Sequence, residues 1–352
     1  MGKILVTGGA GFLGSHTSLS LINKGYKVII IDSLKNSSPI ALERVADICR
    51  VNGFESNKSL KFIKADLRDY SILKNLFDKA QQDGESIDGV IHFAGLKAVG
   101  ESVNNPIEYW DANLKSSINL LKAMDAYNCK NIVFSSSATI YGYNKNSLIH
   151  ENDKIAPINP YGNTKAVIEI FLNDVFKSNP SKWSIANLRY FNPIGAHPSG
   201  LIGENPNGIP NNIFPFILKV ASGEIDRLHI FGNNWPTHDG TCIRDYIHVM
   251  DLAEGHIRVL EYLFSNNKQI VNINLGTGKG TSVKELVETF QRTNNLKVPY
   301  LFSERREGDI AKVVADISYA ESLLNWKPSL NLDNMCIDGW KWQSLNPSGF
   351  KK

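Results

Sequence analysis

Cysteine is scarce in this sequence and widely scattered. Only four cysteines occur in 352 residues, and none belongs to a CxxC pair or to a spacing that suits a metal ion. Isolated thiols are therefore the expected state of all four, namely Cys49, Cys129, Cys242 and Cys336. This pattern favours a reducing compartment, and the cytoplasm is the simplest candidate.

Long apolar runs and charge of a single sign are also missing. No stretch is apolar over enough residues to span a bilayer, and the sequence enters a predicted strand at its start instead of an apolar signal run. The 38 basic and 35 acidic residues give a net charge of +3 and are mixed along the chain. We therefore expect neither a membrane nor a nucleic acid as a partner.

Short β-branched runs alternate with amphipathic segments through the first half of the chain. The runs occupy residues 4–6, 28–31, 62–63, 90–93, 132–134 and 185–188. Continuous apolar strands separated by helices are typical of a parallel sheet that is covered on both faces. The sequence thus predicts an α/β fold: a doubly wound, Rossmann-type parallel sheet with a smaller α/β substrate-binding domain interleaved at its C-terminal end.

The composition changes after about residue 190. Residues 191–212 are rich in glycine, proline and asparagine, and regular patterns return from residue 213 onward. We expect a nucleotide-binding domain over residues 1–190, rejoined by residues of about 247–277. The expected second domain comprises residues 191–246 and 278–352.

A glycine-rich turn follows the first predicted strand and leads into a helix. Gly8, Gly11 and Gly14 would allow a tight turn, close approach of the backbone to a pyrophosphate, and close packing of helix on strand. The second strand ends in Asp32, 18 residues beyond Gly14, where a carboxylate can bind a ribose 2′-hydroxyl. Because a carboxylate repels a 2′-phosphate, this pattern predicts NAD rather than NADP. Asp66 ends a later strand, where it is either a second nucleotide contact or a solvated acid.

A tyrosine and a lysine four residues apart open another amphipathic helix. Tyr161 and Lys165 share a helical face, and an ammonium near a phenol lowers the phenol's pKa. A tyrosine so tuned can take a proton from a sugar hydroxyl while a hydride leaves the same carbon. Ser137 follows a strand that should end at the same sheet edge, where it could bind the reacting hydroxyl or relay its proton.

These residues together resemble the extended short-chain dehydrogenase/reductase family. Within that family the chain is similar to the UDP-hexose 4-epimerases almost from end to end. The matching segments are residues 92–102 (HFAGLKAVGES), 135–142 (SSSATIYG), 189–200 (RYFNPIGAHPSG), 208–212 (GIPNN), 244–252 (RDYIHVMDL) and 305–309 (RREGD). The resemblance implies NAD-dependent inversion at C4 of a UDP-hexose, through a transient 4-keto sugar.

The resemblance also implies which residues bind each ligand. The family's cofactor contacts fall on Phe12, Leu13, Asp32, Asn36, Ser37, Asp66, Leu67, Phe93, Ala94, Lys97, Asn113, Tyr161, Lys165 and Tyr190. Its UDP-sugar contacts fall on Asn192, Asn212, Phe231, Arg244, Arg306 and Asp309. The two arginines also make physical sense, since guanidinium groups bind diphosphates bidentately. No metal spacing occurs, and His92, His197 and His248 are interpreted as structural.

One position departs from the bacterial form of the family. Val313, four residues after Asp309, stands where that form carries a tyrosine beside the sugar. The smaller side chain could leave room for a 2-acetamido group, so we expect UDP-N-acetylhexosamines as possible additional substrates. A homodimer is also expected, with residues 107–128 and 166–178 as a candidate helix pair at its interface.

Three alternatives remain open at this stage. A 4,6-dehydratase on the same fold would need an acid pair after the strand-end serine, where this chain has Ala138 and Thr139. A UDP-uronate epimerase or decarboxylase would need an extra cation for the sugar carboxylate. A non-catalytic NAD sensor would need only the nucleotide pocket, so retention of Ser137, Tyr161 and Lys165 argues against it.

Overall fold

The computed structural model describes residues 2–55, 59–144, 146, 148–208, 210, 212–306 and 308–350. Its strands are β1 (Lys3–Thr7), β2 (Lys27–Asp32), β3 (Leu60–Lys64), β4 (Gly89–His92), β5 (Asn131–Ser135), β6 (Ser184–Tyr190), β7 (Asn192–Ile194), β8 (Leu228–Phe231), β9 (Ile243–Arg244), β10 (Tyr246–His248), β11 (Ile270–Leu275), β12 (Thr281–Ser282), β13 (Tyr300–Ser303) and β14 (Lys312–Val313).

Helices separate most of these strands. They are α1 (Phe12–Asn23), α2 (Pro39–Val51), α3 (Tyr70–Gln82), α4 (Val99–Asn104), α5 (Pro106–Trp110), α6 (Ser116–Ala126), α7 (Pro160–Ser178), α8 (Ile213–Ala221), α9 (Val249–Ser265), α10 (Val283–Asn294), α11 (Ser318–Leu324) and α12 (Leu332–Leu345). A π-helical turn, Asp111–Lys115, joins α5 to α6. None of the helices described is both long and apolar enough to cross a bilayer.

Seven strands form the main sheet, in the order β11-β6-β5-β4-β1-β2-β3. The pairs from β6 through β3 are parallel, with Thr7 in register with both Ile31 and His92. This is the doubly wound order, and the direction of winding reverses between β1 and β4. The predicted Rossmann-type fold is confirmed. Ligands bind such sheets beyond the carboxyl ends of the strands at the reversal, which here are Thr7 and His92.

The chain divides into two compact units. The first comprises residues 1–140, 157–189 and 253–273, and the second comprises residues 141–156, 190–252 and 274–352. This division departs from the expected boundaries chiefly at residues 141–156, which belong to the second unit. The reason is a parallel bridge between Ile149 and Ala315, with the Ile149 amide donating to the Val314 carbonyl at 2.8 Å.

Each unit has its own apolar core. In the first, the buried faces of the sheet strands pack with α3, α6 and α7, through residues such as Leu5, Phe77 and Ile132. In the second, α8, α10 and α12 supply Phe214, Phe290 and Met335 to a cluster with the short strands. Apolar burial of this extent supplies most of the folding free energy of a unit, at about 25 cal/mol per Å².

Candidate active site

The glycine turn after β1 is built so that only glycine fits. Gly8 has a left-handed φ of +68°, and a Cβ there would lie 2.7 Å from the Ala94 amide nitrogen. A Cβ on Gly14 would lie 2.3 Å from the Gly8 carbonyl oxygen. Gly11 precedes α1, and among the described residues no side chain caps that helix. The amide groups of its first turn, from Phe12 and Leu13, are therefore suited to an anionic ligand.

Asp32 ends β2 beside this turn and organises the loop that follows. Its Oδ2 accepts a hydrogen bond from the Ala10 amide at 3.0 Å. Its Oδ1 accepts from the Leu34 amide and the Ser37 hydroxyl, both at 2.8 Å. The adjoining Asn36 lies in the same loop. The carboxylate therefore has the position expected for a ribose-binding acid at the end of the second strand.

Asp66 and Leu67 follow β3 at the same edge of the sheet. The Arg68 guanidinium, hydrogen-bonded to Asp66 through Nη2 at 2.8 Å, lowers the pKa of that carboxyl. Arg68 also donates to Asp111 at 2.7 Å, in the π-helical turn. The side-chain amide of Asn119 donates a hydrogen bond to the Leu67 carbonyl oxygen at 3.1 Å. Asp66 is thus an ionised acid in a network, rather than an isolated solvated one.

The loop after β4 carries Phe93, Ala94 and Lys97, and Asn113 fixes its course. Asn113 Oδ1 accepts from the Leu96 amide at 2.7 Å, and its Nδ2 donates to the Leu96 carbonyl at 3.1 Å. The same Nδ2 donates to the Thr164 hydroxyl at 2.9 Å. One asparagine therefore ties this loop to α7. Its position in a π-helical turn accords with the frequent occurrence of such turns at functional sites.

His92, interpreted from the sequence as structural, is fully enclosed. Its two ring nitrogens contact the hydroxyls of Thr7 at 2.7 Å and Ser117 at 3.0 Å. Burial lowers the pKa of His92 to about 3, so its ring is neutral at physiological pH. The other two histidines interpreted as structural also have polar partners: His197 contacts Ser199 at 2.8 Å, and His248 contacts Asp338 at 3.2 Å.

Helix α7 begins at a well-defined cap, which places Tyr161 in its first turn. The Asn159 side chain accepts from the Gly162 amide at 2.8 Å, and Pro160 occupies the first helical position, where its missing amide costs nothing. Tyr161 and Lys165 are both buried, at 7% and 4% exposure. The two side chains lie one turn apart, with the ammonium 5.9 Å from the centroid of the phenol ring.

The surroundings of Tyr161 and Lys165 control their charges. Burial raises the pKa of Tyr161 to about 12, and the nearby Ser137 hydroxyl acts in the opposite direction. Burial lowers the pKa of Lys165 to about 7, while the nearby Glu169 carboxylate acts to raise it. A phenolate and an ammonium in this pocket are each disfavoured alone, so each depends on the other for its stability.

Ser137 lies two residues beyond the end of β5 and accepts hydrogen bonds from a neighbour. Its Oγ accepts from the Thr139 hydroxyl at 3.0 Å and from the Thr139 amide at 3.2 Å. Thr139 was not expected from the sequence as a support for Ser137, although a Ser-x-Thr turn at a strand end is a recognisable local pattern. Glu169 was not expected from the sequence either, although it lies one turn beyond Lys165 on the same helical face.

A cavity of about 320 Å³ lies within the second unit. Six of the residues expected to bind the UDP-sugar line it, namely Asn192, Asn212, Phe231, Arg244, Arg306 and Asp309. Two motif segments that border it are incomplete here, because Ile209, Asn211 and Glu307 lie outside the described residues. The lining combines apolar side chains with a small number of polar groups, as ligand pockets usually do.

Two arginines and one acid define the polar end of this cavity. Asp309 accepts from Arg306 Nε at 3.0 Å and lies 3.7 Å from Arg244 Nη2. The Arg306 guanidinium carbon is 4.7 Å from the centroid of the Phe231 ring. Arg244 also donates to the Ile310 carbonyl at 2.7 Å, which fixes its direction. A pair of cations beside an aromatic face suits a diphosphate attached to a planar base.

Two predicted contacts are placed differently from the rest of their groups. Tyr190, expected at the cofactor, is the last residue of β6 and is assigned to the second unit. Val313 is half-buried and pairs in register with Arg244, but it is not among the residues that line the cavity. Among the described residues, no group of three or more histidine, cysteine, aspartate or glutamate side chains could hold a metal ion.

The sheet order, the glycine turn with Asp32, and the buried Ser137, Tyr161 and Lys165 define an NAD-dependent enzyme of the extended short-chain dehydrogenase/reductase type. A family model described as GDP-mannose 4,6 dehydratase matches residues 5–338. The chain is 49% identical over 348 residues to a UDP-glucose 4-epimerase of Bacillus subtilis, covering 99% of this chain and 98% of that protein.

Solved structures give the same result. A UDP-glucose 4-epimerase from Bifidobacterium longum, in complex with NAD+ and UDP, is 47% identical with a TM-score of 0.91. One from Stenotrophomonas maltophila, with bound NAD and formylated UDP-arabinopyranose, is 43% identical with a TM-score of 0.92. Each comparison covers 99% of both chains. The chain belongs to the UDP-glucose 4-epimerase family, and its activity is NAD-dependent epimerisation of UDP-hexoses at C4.

Proposed function

We propose that Tyr161 is the acid–base residue of this epimerisation. The observation that carries the assignment is its burial one turn from Lys165 and near the Ser137 hydroxyl. As a phenolate, Tyr161 takes the proton of the sugar 4-hydroxyl while that carbon becomes a ketone, and it returns the proton after the sugar has presented its opposite face. When bound, NAD supplies the hydride acceptor and donor for that carbon.

Ser137 and Lys165 support this proton transfer in different ways. Ser137 shares its hydroxyl with the phenol and with the sugar oxygen, so it orients both. Lys165 supplies the positive charge that stabilises the phenolate. The dinucleotide is held by the turn at Gly8, Gly11 and Gly14 together with the cofactor residues already named, including Tyr190. Because the proton and the hydride both return to the sugar, the reaction consumes no cofactor.

The second unit holds the UDP part of the substrate. Arg244 and Arg306 neutralise the diphosphate, and Phe231 offers a flat apolar face to the uracil. Asp309 orients both guanidinium groups, and Asn192 and Asn212 add amide hydrogen bonds. Tight binding of UDP beside looser contacts to the hexose allows the keto sugar to turn without leaving. A variant with Tyr161 replaced by Phe, which should bind NAD and UDP but not epimerise, tests the assignment.

We also propose that the site accepts UDP-N-acetylhexosamines. Val313 lies in β14 and pairs in register with Arg244 of β9, which lines the cavity. Val313 is therefore on a strand next to the proposed substrate site. A valine at this position occupies less space than a tyrosine and favours a larger group at C2 of the sugar. A solved structure described as a UDP-Glc/GlcNAc 4-epimerase from Campylobacter jejuni is 32% identical to this chain.

A homodimer is the assembly we propose. Helices α4 and α5 both pack against α7, and they expose Val103 at 60% and Ile107 at 84%, while α7 exposes Ile170 at 59%. Exposed apolar side chains on adjoining helices are typical of a surface covered by another chain. A change of Ile107 to Glu should convert the dimer to a monomer, as measured by light scattering.

The four free thiols, all buried, support a reducing, cytoplasmic location.

A further inference from the structure

Three consecutive serines at the end of β5 contact three residues on one face of α7. The Ser135 carbonyl accepts from Lys165 Nζ at 2.6 Å. The Ser136 hydroxyl donates to Glu169 Oε1 at 2.5 Å. The Ser137 hydroxyl lies close enough to the Tyr161 phenol to act against the rise of its pKa. Because residues 161, 165 and 169 are successively one turn apart, the three serines face one side of the helix, and hydrogen bonds join the strand end to it at Lys165 and Glu169.

Glu169 is buried one turn beyond Lys165 and is paired with an arginine. It is 5% exposed, and Arg189 from β6, 2% exposed, donates to it through Nε at 3.0 Å and Nη2 at 2.6 Å. Burial of an ion pair is costly, so the pair contributes little net stability. Its position beside Lys165 suggests a function in the reaction.

We infer that Glu169 is a positioning residue for epimerisation. It holds Ser136, and through the backbone Ser137, against α7, and its negative charge keeps Lys165 protonated beside Tyr161. This inference rests on the proposed roles of Tyr161 and Lys165. Nothing in it requires Glu169 to contact the substrate or the cofactor.

The charges around Lys165 support this assignment. On its own helix it faces Glu169 and the phenol of Tyr161. From β4 the neutral ring of His92 is near, and from β5 the Ser135 carbonyl accepts its hydrogen bond. Arg189, from β6, is positive and is bound to Glu169. Glu169 is therefore the single carboxylate that acts on Lys165 among the described residues, and it opposes the effect of burial.

The test is the pH dependence of kcat for the purified protein and its Glu169→Gln variant. Glutamine keeps an oxygen that can accept from Ser136 but removes the charge. Lys165 should then lose its proton at lower pH, by about one pH unit. The ratio of variant to wild-type kcat should consequently fall about fivefold between pH 6 and pH 8.5. KM for the UDP-sugar and the bound NAD content should not change.

Two further variants separate charge from position. Ser136→Ala removes the tether without changing charge, so kcat should fall about tenfold at every pH. Asp174→Asn, an exposed residue of the same helix, removes the same charge away from the site and should leave the whole profile unchanged.

Two outcomes would overturn the inference. One is a variant-to-wild-type ratio for Glu169→Gln that stays constant with pH, and the other is a Ser136→Ala variant with normal kcat. If Glu169→Gln does not fold, the double variant Glu169→Gln with Arg189→Gln avoids an unpaired buried guanidinium and is judged by the same ratio. Full activity of Tyr161→Phe would instead contradict the proposed roles, whatever Glu169 does.

Discussion

The ammonium of Lys165 donates a 2.6 Å hydrogen bond to the backbone carbonyl of Ser135. This contact fixes the lysine at the end of β5 and limits its distance from the phenol of Tyr161. A lysine on the surface would be free to move and would be screened by water. Here burial and a backbone acceptor give its charge a defined place next to the proposed base.

Replacing Tyr161 with Phe should abolish proton transfer without disturbing the fold. The phenol is buried, and its ring packing is retained by phenylalanine. We expect kcat to fall about 10²- to 10⁴-fold, which is the usual contribution of a positioned acid–base group. Bound NAD and the melting temperature should match those of the wild type. A steady-state kcat of the variant close to the wild-type value would show that another group is the base.

The pH dependence of activity should respond to Lys165. Removing its charge with Lys165→Ala raises the pKa of the Tyr161 phenol, because the phenolate loses its nearby cation. The acidic limb of the pH–kcat profile should therefore move to higher pH, and turnover at neutral pH should fall. Lys177→Ala, at the exposed end of the same helix, is the matched control and should leave the limb in place.

Arg306 should contribute to substrate binding and not to chemistry. Truncation to Ala removes one guanidinium from the proposed diphosphate site, where a charged hydrogen bond contributes about 1.5–3 kcal/mol. The Kd for UDP, measured calorimetrically, should rise about 10- to 100-fold, with KM for the UDP-sugar following it. Arg292→Ala is the control, because that exposed arginine pairs with Asp333 away from the cavity. Equal effects of the two changes would place the diphosphate elsewhere.

Val313 should determine how large a group the sugar can carry at C2. A change to Tyr should suppress activity on the UDP-N-acetylhexosamines while largely sparing UDP-galactose. The added volume can overpack a filled site and lower the free energy of unfolding by about 1–3 kcal/mol. The thermal unfolding of the variant must therefore be compared with that of the wild type. If the unmutated enzyme converts neither N-acetylated substrate at saturation, the proposed breadth is wrong.

The parts of the molecule that depend on local sequence were predictable. Gly8 and Asp32 stand at fixed distances from a strand and a helix, so both the turn and the sheet followed from the chain order. The Tyr161–Lys165 spacing likewise placed both side chains on one face. Helical spacing would also have shown that Glu169 shares this face, but nothing local to it indicates a partner in Arg189, which is 20 residues away.

Long-range pairing could not be predicted from the sequence. The bridge from Ile149 to Ala315 joins segments that carry no strand periodicity, and it assigns residues 141–156 to the second unit. The contact of Asn113 with Thr164 depends on a π-helical turn, for which the sequence has no clear signal. The membership of Tyr190 in the second unit likewise depends on where a continuous strand is divided.

Incubation of the purified protein with UDP-galactose, without added NAD, is the most direct test of the central claim. Chromatography of the products should show UDP-glucose appearing until both sugars are present in a constant ratio, and the same ratio should be reached from UDP-glucose. The absorbance of reduced nicotinamide should not rise, because each hydride that leaves the sugar returns to it. Steady accumulation of NADH, or a 6-deoxy-4-keto sugar as product, would contradict the account.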